Sequence, residues 1–234
     1  MDDLYDLAVF DFDGTLADTF GCIAASTDIA LAQLGLPPAD EQVLRSSVGL
    51  SLPTIFHRVT GGALPEPDID RLVCAYRSVF DEIASSKVTL FDGVREEIET
   101  LHHAGVTLAV ATSKSRRGVG RLLGVFEIAD LFAVVVTDDM VDRKKPDPQM
   151  LHHVLGAVDV GADRAVMVGD AEFDLVMGRA GGMATCAVTW GNGRREQLEA
   201  CDPTHIVDSP SELATTLAPT RVRRVAPGGR GSRL

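Results

Sequence analysis

Five short apolar runs, each stopping at a polar or small residue, set the strongest limit on what this chain can become. Leu7–Phe10 (LAVF) runs into Asp11, and residues 106–111 (VTLAVA) run into Thr112. Residues 133–136 (AVVV) run into Thr137 and Asp138, and residues 165–168 (AVMV) into Gly169 and Asp170. Ala184–Val188 (ATCAV) runs into Thr189. The runs carry no charged residue and are continuous rather than alternating, as strands buried on both faces are. Helical patterns over residues 94–104 and 148–156 lie between them. This alternation predicts an α/β fold, a doubly wound parallel sheet.

One stretch interrupts the alternation. Residues 19–87 carry helical patterns at 22–34, 40–47, 52–60 and 68–85, with no buried-strand pattern. Gly35 and the pair Pro37-Pro38 stop the first of these. The expected organisation is therefore a discontinuous α/β core of residues 1–18 and 88–218, with an all-α cap inserted at 19–87. Residues 14–19 and 90–93 are the expected hinges between them. Residues 219–234 form an expected flexible tail, rich in Arg, Gly and Pro and poor in large apolar side chains.

The chain has 234 residues, enough for one large domain or a core with an insert. Its net charge is −12, although the tail from Arg221 onward is basic. So acidic a body speaks against general nucleic-acid binding. It also means that an anionic ligand needs a local cation, a metal, or both. No apolar run approaches the roughly 20 residues that span a bilayer. The N-terminus, MDDLYDL, is acidic where a secretory signal is basic, so a cytoplasmic location is expected. Four cysteines stand far apart without a CxxC pair, as free thiols in a reducing compartment do.

In an open parallel sheet, ligands bind beyond the C-terminal strand ends. The polar residues that end the runs should gather there. Asp11 and Asp13 follow the first run, and in a continuing strand both would face one way. Gly14 then permits a sharp turn. Paired carboxylates that meet a phosphate need a cation between, which points to Mg²⁺, a hard ion that takes oxygen ligands. One acid can serve as nucleophile and the other can transfer protons. Alone, the pair is equally well read as a turn with incidental acids. Thr112, Ser113 and Lys114 follow the second run as an anion site or a simple helix cap. Lys144 and Lys145 lie in the loop KKPDP, where one lysine can offset phosphoryl charge. Asp170 and Asp174 follow the fourth run and share a face if a helix begins near Asp170. Asp170 then suits a metal ligand. Asp174 suits a residue that holds a metal-bound water or orients Lys145. Each feature is weak alone; their order and their common position at strand ends make the set specific.

The set resembles the haloacid dehalogenase-like superfamily, in its phosphoglycolate phosphatase-like branch. DFDGTL with Asp18, VATSK, KKPDP and VGDAEFD match its four motifs, and the likeness covers about residues 4–217. The helical insert resembles the family's four-helix cap, and the segments VTWG and IVD with Glu212-Leu213 resemble the end of the branch. The resemblance implies roles. Asp11 would be the nucleophile and Asp13 the acid and base. Mg²⁺ would be held by the Asp11 and Asp170 carboxylates and the Asp13 carbonyl. Thr112 would hydrogen-bond the phosphoryl group, Lys145 would offset its charge, and Asp174 would support the metal. Gly14, Ser113, Lys114, Arg45 and Ser51 are further candidates to touch substrate, as are Ser47, His57 and Arg58 in the cap. Ser113 stands where asparagine is common and Ala171 where serine or threonine is common.

The expected activity is thus Mg²⁺-dependent hydrolysis of a small-metabolite phosphomonoester through an aspartyl-phosphate, in a protein with no nucleic-acid or membrane partner. By the same resemblance, Asp13 argues against a dehalogenase, whose leaving halide needs no proton. The only lysine between Thr19 and Phe91 is Lys87, which argues against the Schiff-base chemistry of a phosphonatase. A sugar phosphomutase and a non-catalytic binding subunit of the same fold stay open as alternatives. A signalling receiver domain is disfavoured, because its phosphorylated acid follows a later strand and its length is about half.

Overall fold

A computed structural model describes residues 5–218. The basic tail expected to be flexible lies outside the described residues. Five of the strands follow the apolar runs: β1 (Leu7–Phe10), β4 (Thr107–Thr112), β5 (Phe132–Thr137), β6 (Ala165–Gly169) and β7 (Ala184–Val188). A sixth, β8 (His205–Val207), completes a sheet of order β5-β4-β1-β6-β7-β8 in which every pairing is parallel. β1 sits between β4 and β6, so the strand order reverses beside it. That is where such a sheet opens a crevice for ligands.

The unbroken apolar runs have a direct cause. Leu7 and Val9 pack on one face under α7 (Gln149–Val158) and α8 (Glu172–Ala180), against Met150, Leu151, Val154 and Met177. Ala8 and Phe10 pack on the other face under α5 (Val94–His103), α6 (Arg116–Val125) and α10 (Leu213–Leu217). A strand covered on both sides has no solvated face to carry polar residues.

Between β1 and the rest of the sheet, the chain makes the short strand β2 (Ala17–Asp18). It then forms four helices, α1 (Phe20–Gln33), α2 (Glu41–Arg45), α3 (Leu52–Val59) and α4 (Glu66–Lys87). It returns through β3 (Thr89–Leu90), which pairs antiparallel with β2. The two crossings thus lie side by side, and Phe91 N–H donates to Leu16 O at 3.1 Å. This ribbon overlaps the segments expected to be hinges, with Thr89 just outside them, and was not legible as strand, because two residues carry no periodicity. The apolar cluster of the sheet's second face continues into the helical segment through Phe56, Ile69, Leu72 and Phe80. Asp40 caps α2 by accepting from Gln42 and Val43 N–H, which sets the helix start at Glu41. No described helix is long and apolar enough to cross a membrane.

Candidate active site

The loop after β1 does not continue as strand. β1 ends at Phe10, and Asp13 is held instead by an isolated bridge to Ala17. Gly14 turns the chain with φ +83°, and a side chain there would run into Asp170 Oδ2 at 2.2 Å. The turn aims the two acids differently. Asp11 is 1% exposed, beneath the C-terminal edge of the sheet, whereas Asp13 is only partly buried. Both border one cavity under the helical segment.

At the base of that cavity three carboxylates converge. Asp11, Asp170 and Asp174 each place an oxygen within 4.8 Å of the others, all of them buried. Lys145 Nζ lies between two of them, 2.9 Å from Asp11 Oδ1 and 2.7 Å from Asp174 Oδ1. Its neighbour Lys144 instead donates to the Asp138 and Val141 carbonyls and ties down the loop. The adjacent lysines therefore divide: one enters the site and the other braces it.

Asp170 and Asp174 are not on one helical face. α8 begins at Glu172, so Asp170 precedes the helix, and Asp174 occupies its first turn. The physical reason is extended backbone at Ala171, where Ala171 N–H donates to Asp174 Oδ2 at 3.2 Å. The two acids converge because the strand end and the helix start fold toward each other, not through helical periodicity. Gly169 is required there, since a Cβ would meet Asp174 Cβ at 2.3 Å.

Asp170 is the most firmly held of the three. Thr15 Oγ1 donates to Asp170 Oδ1 at 2.9 Å. Asn192 donates to Oδ2 from its backbone at 2.7 Å and its side chain at 3.2 Å. Trp190 Nε1 donates to Thr15 O at 3.1 Å and joins this loop to the first one. Gly193 is packed so close that a Cβ would meet Asp170 O at 2.1 Å. Sequence reasoning missed Asn192 and gave Thr15 no role. The signal available was the small-polar-small step Gly191-Asn192-Gly193 after β7.

The electrostatics are lopsided. Burial pushes the Asp11 carboxyl up to about 8; Lys145 opposes the shift, and Asp174, Asp170 and Asp13 add to it. Burial, with Asp174, lifts Asp170 to about 7, against the hydrogen bonds from Asn192 and Thr15. Burial disfavours the charged Lys145, but Asp11 and Asp174 outweigh it and raise its pKa. One ammonium thus faces three buried carboxylates. Asp11 Oδ2, buried, has no hydrogen-bond partner among the described residues. A hard dication suits such a set: it supplies the missing positive charge and takes oxygen ligands.

Thr112 is fully buried at the end of β4, its Oγ1 accepting from Lys114 N–H at 3.3 Å. Lys114 Nζ is 2.9 Å from Asp13 Oδ1 and 4.1 Å from the centre of the Phe80 ring on α4. Ser113 Oγ donates to Gly49 O at 2.6 Å and so ties the β4 loop to the helical segment. Thr112, Ser113 and Lys114 all line the cavity above Asp11. Gly14 packs against Asp170 and Asn192.

The candidates from the helical segment fall elsewhere. Arg45 pairs with Glu41 at 3.0 Å and stacks 3.6 Å over the Phe20 ring, on the border of a separate groove against Phe173 and Arg194. Ser51 Oγ is engaged with Thr54 Oγ1 at 2.8 Å, and Ser47 Oγ donates to Val43 O at 2.6 Å. His57 pairs with Glu66, and Arg58 Nη1 donates to Ser46 O. None of these five borders the cavity that holds Asp11. Their polarity serves helix ends and the surface.

This constellation has counterparts. Residues 8–188 match the family model of the haloacid dehalogenase-like hydrolases. The chain belongs to that family, in its phosphoglycolate phosphatase-like branch, and with it to the phosphatase class of enzymes. It is 37% identical over 211 residues to a probable phosphatase, IndB, of Dickeya dadantii, covering 88% of this chain and 91% of that protein. It is 31% identical over 206 residues to a phosphoglycolate phosphatase of Pseudomonas putida, covering 86% and 76%. Among solved structures, a predicted phosphatase from Clostridium acetobutylicum superposes with a TM-score of 0.82 at 26% identity, covering 91% of this chain and 98% of that one.

Proposed function

We propose that the protein hydrolyses a small phosphomonoester with Mg²⁺, through an aspartyl-phosphate on Asp11. The observation that carries this reading is the buried Asp11 carboxylate. One oxygen meets Lys145, the other has no partner, and two further acids stand beside it. The metal would be held by Asp11, Asp170 and the Asp13 carbonyl, with Asp174 in support, and would supply charge neutralisation at the transferring phosphoryl group.

The chain's own groups account for the rest. An Asp11 oxygen attacks phosphorus, an oxygen–phosphorus bond forms, and the ester oxygen–phosphorus bond breaks. Asp13 gives its proton to the departing oxygen and so releases the alcohol. Asp13 then takes a proton from the water that attacks the aspartyl-phosphate, which returns Asp11 and frees phosphate. Thr112 Oγ1 and the backbone N–H groups after it orient the phosphoryl oxygens, and Lys145 offsets their charge. Phosphate would compete with Asp13 for Lys114. The helices α1–α4 act as a cap that excludes water, hinged at the β2–β3 ribbon. Equal hydrogen exchange in that ribbon with and without a phosphate analogue would count against the hinge.

The test is phosphate release from a panel of esters with Mg²⁺, in wild type, in Asp11→Asn and with chelator. Release that both changes abolish supports the reading. Release that survives in Asp11→Asn overturns it.

A further inference from the structure

The wall facing Asp11 from the helical segment is made of Ile23, Leu50, Leu52, Ile55, Tyr76 and Phe80. Four of these are at most 6% exposed, and Tyr76 stacks on Phe80 with ring centres 5.6 Å apart. Both serine hydroxyls that line the cavity are committed. Ser113 Oγ is already bound to Gly49 O, and Ser115 Oγ caps α6 by accepting from Gly118 N–H. The cations that line it are Lys114 and Arg77, against the acids Asp11, Asp13, Asp81 and Asp138. Lys114 is matched to Asp13, and the charge of Arg77 acts on Asp138 and Asp139. A second anion on the leaving group would be desolvated here among four carboxylates and only two cations.

We propose that this site is shaped for a phosphomonoester whose leaving alcohol is uncharged and apolar next to the phosphate, rather than one with a second anionic group such as phosphoglycolate. This rests on the hydrolase reading above. It departs from the substrate named for the Pseudomonas relative, and the wall residues that carry it belong to the helical segment rather than to the catalytic cluster.

The experiment compares kcat/KM for benzyl phosphate, glycerol phosphate and phosphoglycolate with Mg²⁺. All three are alkyl esters, so chemistry at phosphorus differs little and the wall decides. Benzyl phosphate is expected to exceed phosphoglycolate by at least about tenfold, the usual scale of discrimination by an apolar pocket. Leu52→Arg, at a half-buried position, adds a cation to the wall and is expected to shift that ratio at least about tenfold toward phosphoglycolate. Leu50→Arg is the second variant should the first fail to fold. Fastest release from phosphoglycolate in the wild type, with Asp11→Asn inactive, overturns this inference and leaves the hydrolase reading standing. Release from none of the esters, with no phosphoryl group trapped on Asp11, overturns both.

Discussion

The floor and the roof of the cavity obey different rules. The floor is polar, buried and over-determined: Asp11, Asp170, Asp174 and Lys145 lie within contact distance, and Thr15, Asn192 and Ala171 fix two of the acids. The roof is mostly apolar, built of Ile23, Leu50, Leu52, Ile55, Tyr76 and Phe80. A floor built this way tolerates almost no substitution, because removing any group leaves a buried polar partner less satisfied in a low-dielectric setting. The roof asks only for apolar volume, which many residue types supply.

That contrast is sharpest at Asp11. Asp11→Asn is expected to lower turnover by roughly 10⁴-fold or more, the scale of losing a nucleophile, read as phosphate release. Retention within about tenfold would break the contrast. Lys145→Met comes next. It leaves Asp11 and Asp174 buried without their ammonium, so a stability loss of about 3–5 kcal/mol is expected in metal-free protein by denaturant titration. Asp13→Asn should cost about 10²–10⁴-fold on alkyl esters, as removal of an acid–base group does. In the first phosphoryl transfer, read as the pre-steady-state burst of alcohol, the loss should be smaller on nitrophenyl esters, whose leaving oxygen needs no proton, and an equal loss of burst rate on both would argue against proton donation by Asp13.

The pH dependence of metal-free stability tests the floor's charge. Asp11 at about 8 and Asp170 at about 7 lie above their ordinary value of 3.8. Their folded state therefore binds protons more tightly than the unfolded chain. Their contribution is fully present below pH about 4 and is lost as the pH rises toward 7–8. Chelated protein should lose stability across that window, and Asp170→Asn should flatten the slope. Thermal denaturation with chelator checks this; no change in slope would argue against the shared burden. The smallest effect is expected outside the cavity, where Arg45→Ala should change turnover by less than about twofold, as surface changes do.

How much was readable in advance follows the same division. β1 and β7 coincide with LAVF and ATCAV because burial on both faces leaves one kind of sequence solution. Asp11, Asp13, Thr112, Lys145, Asp170 and Asp174 were legible as polar residues that follow the strand runs, and the fold brings them together at one sheet edge. The helix start at Glu172 was displaced from Asp170 because Asp174 caps it from inside, a local bond that periodicity does not encode. Asn192 went unassigned because its two hydrogen bonds to Asp170 cross 22 residues. Arg45 and Ser51 were picked for their polarity in a segment where polarity marks helix ends, whereas Ile55 and Phe80, which do border the cavity, look like any core residues.

The most direct measurement is the covalent one. Asp13→Asn protein with Mg²⁺ and a nitrophenyl ester should form the aspartyl-phosphate and fail to hydrolyse it. Acid quench, digestion and mass spectrometry are expected to place one phosphoryl group on Asp11, and none when Asp11→Asn is added. Nitrophenol release with no phosphoryl group on Asp11, or with one on another residue, would contradict the central claim.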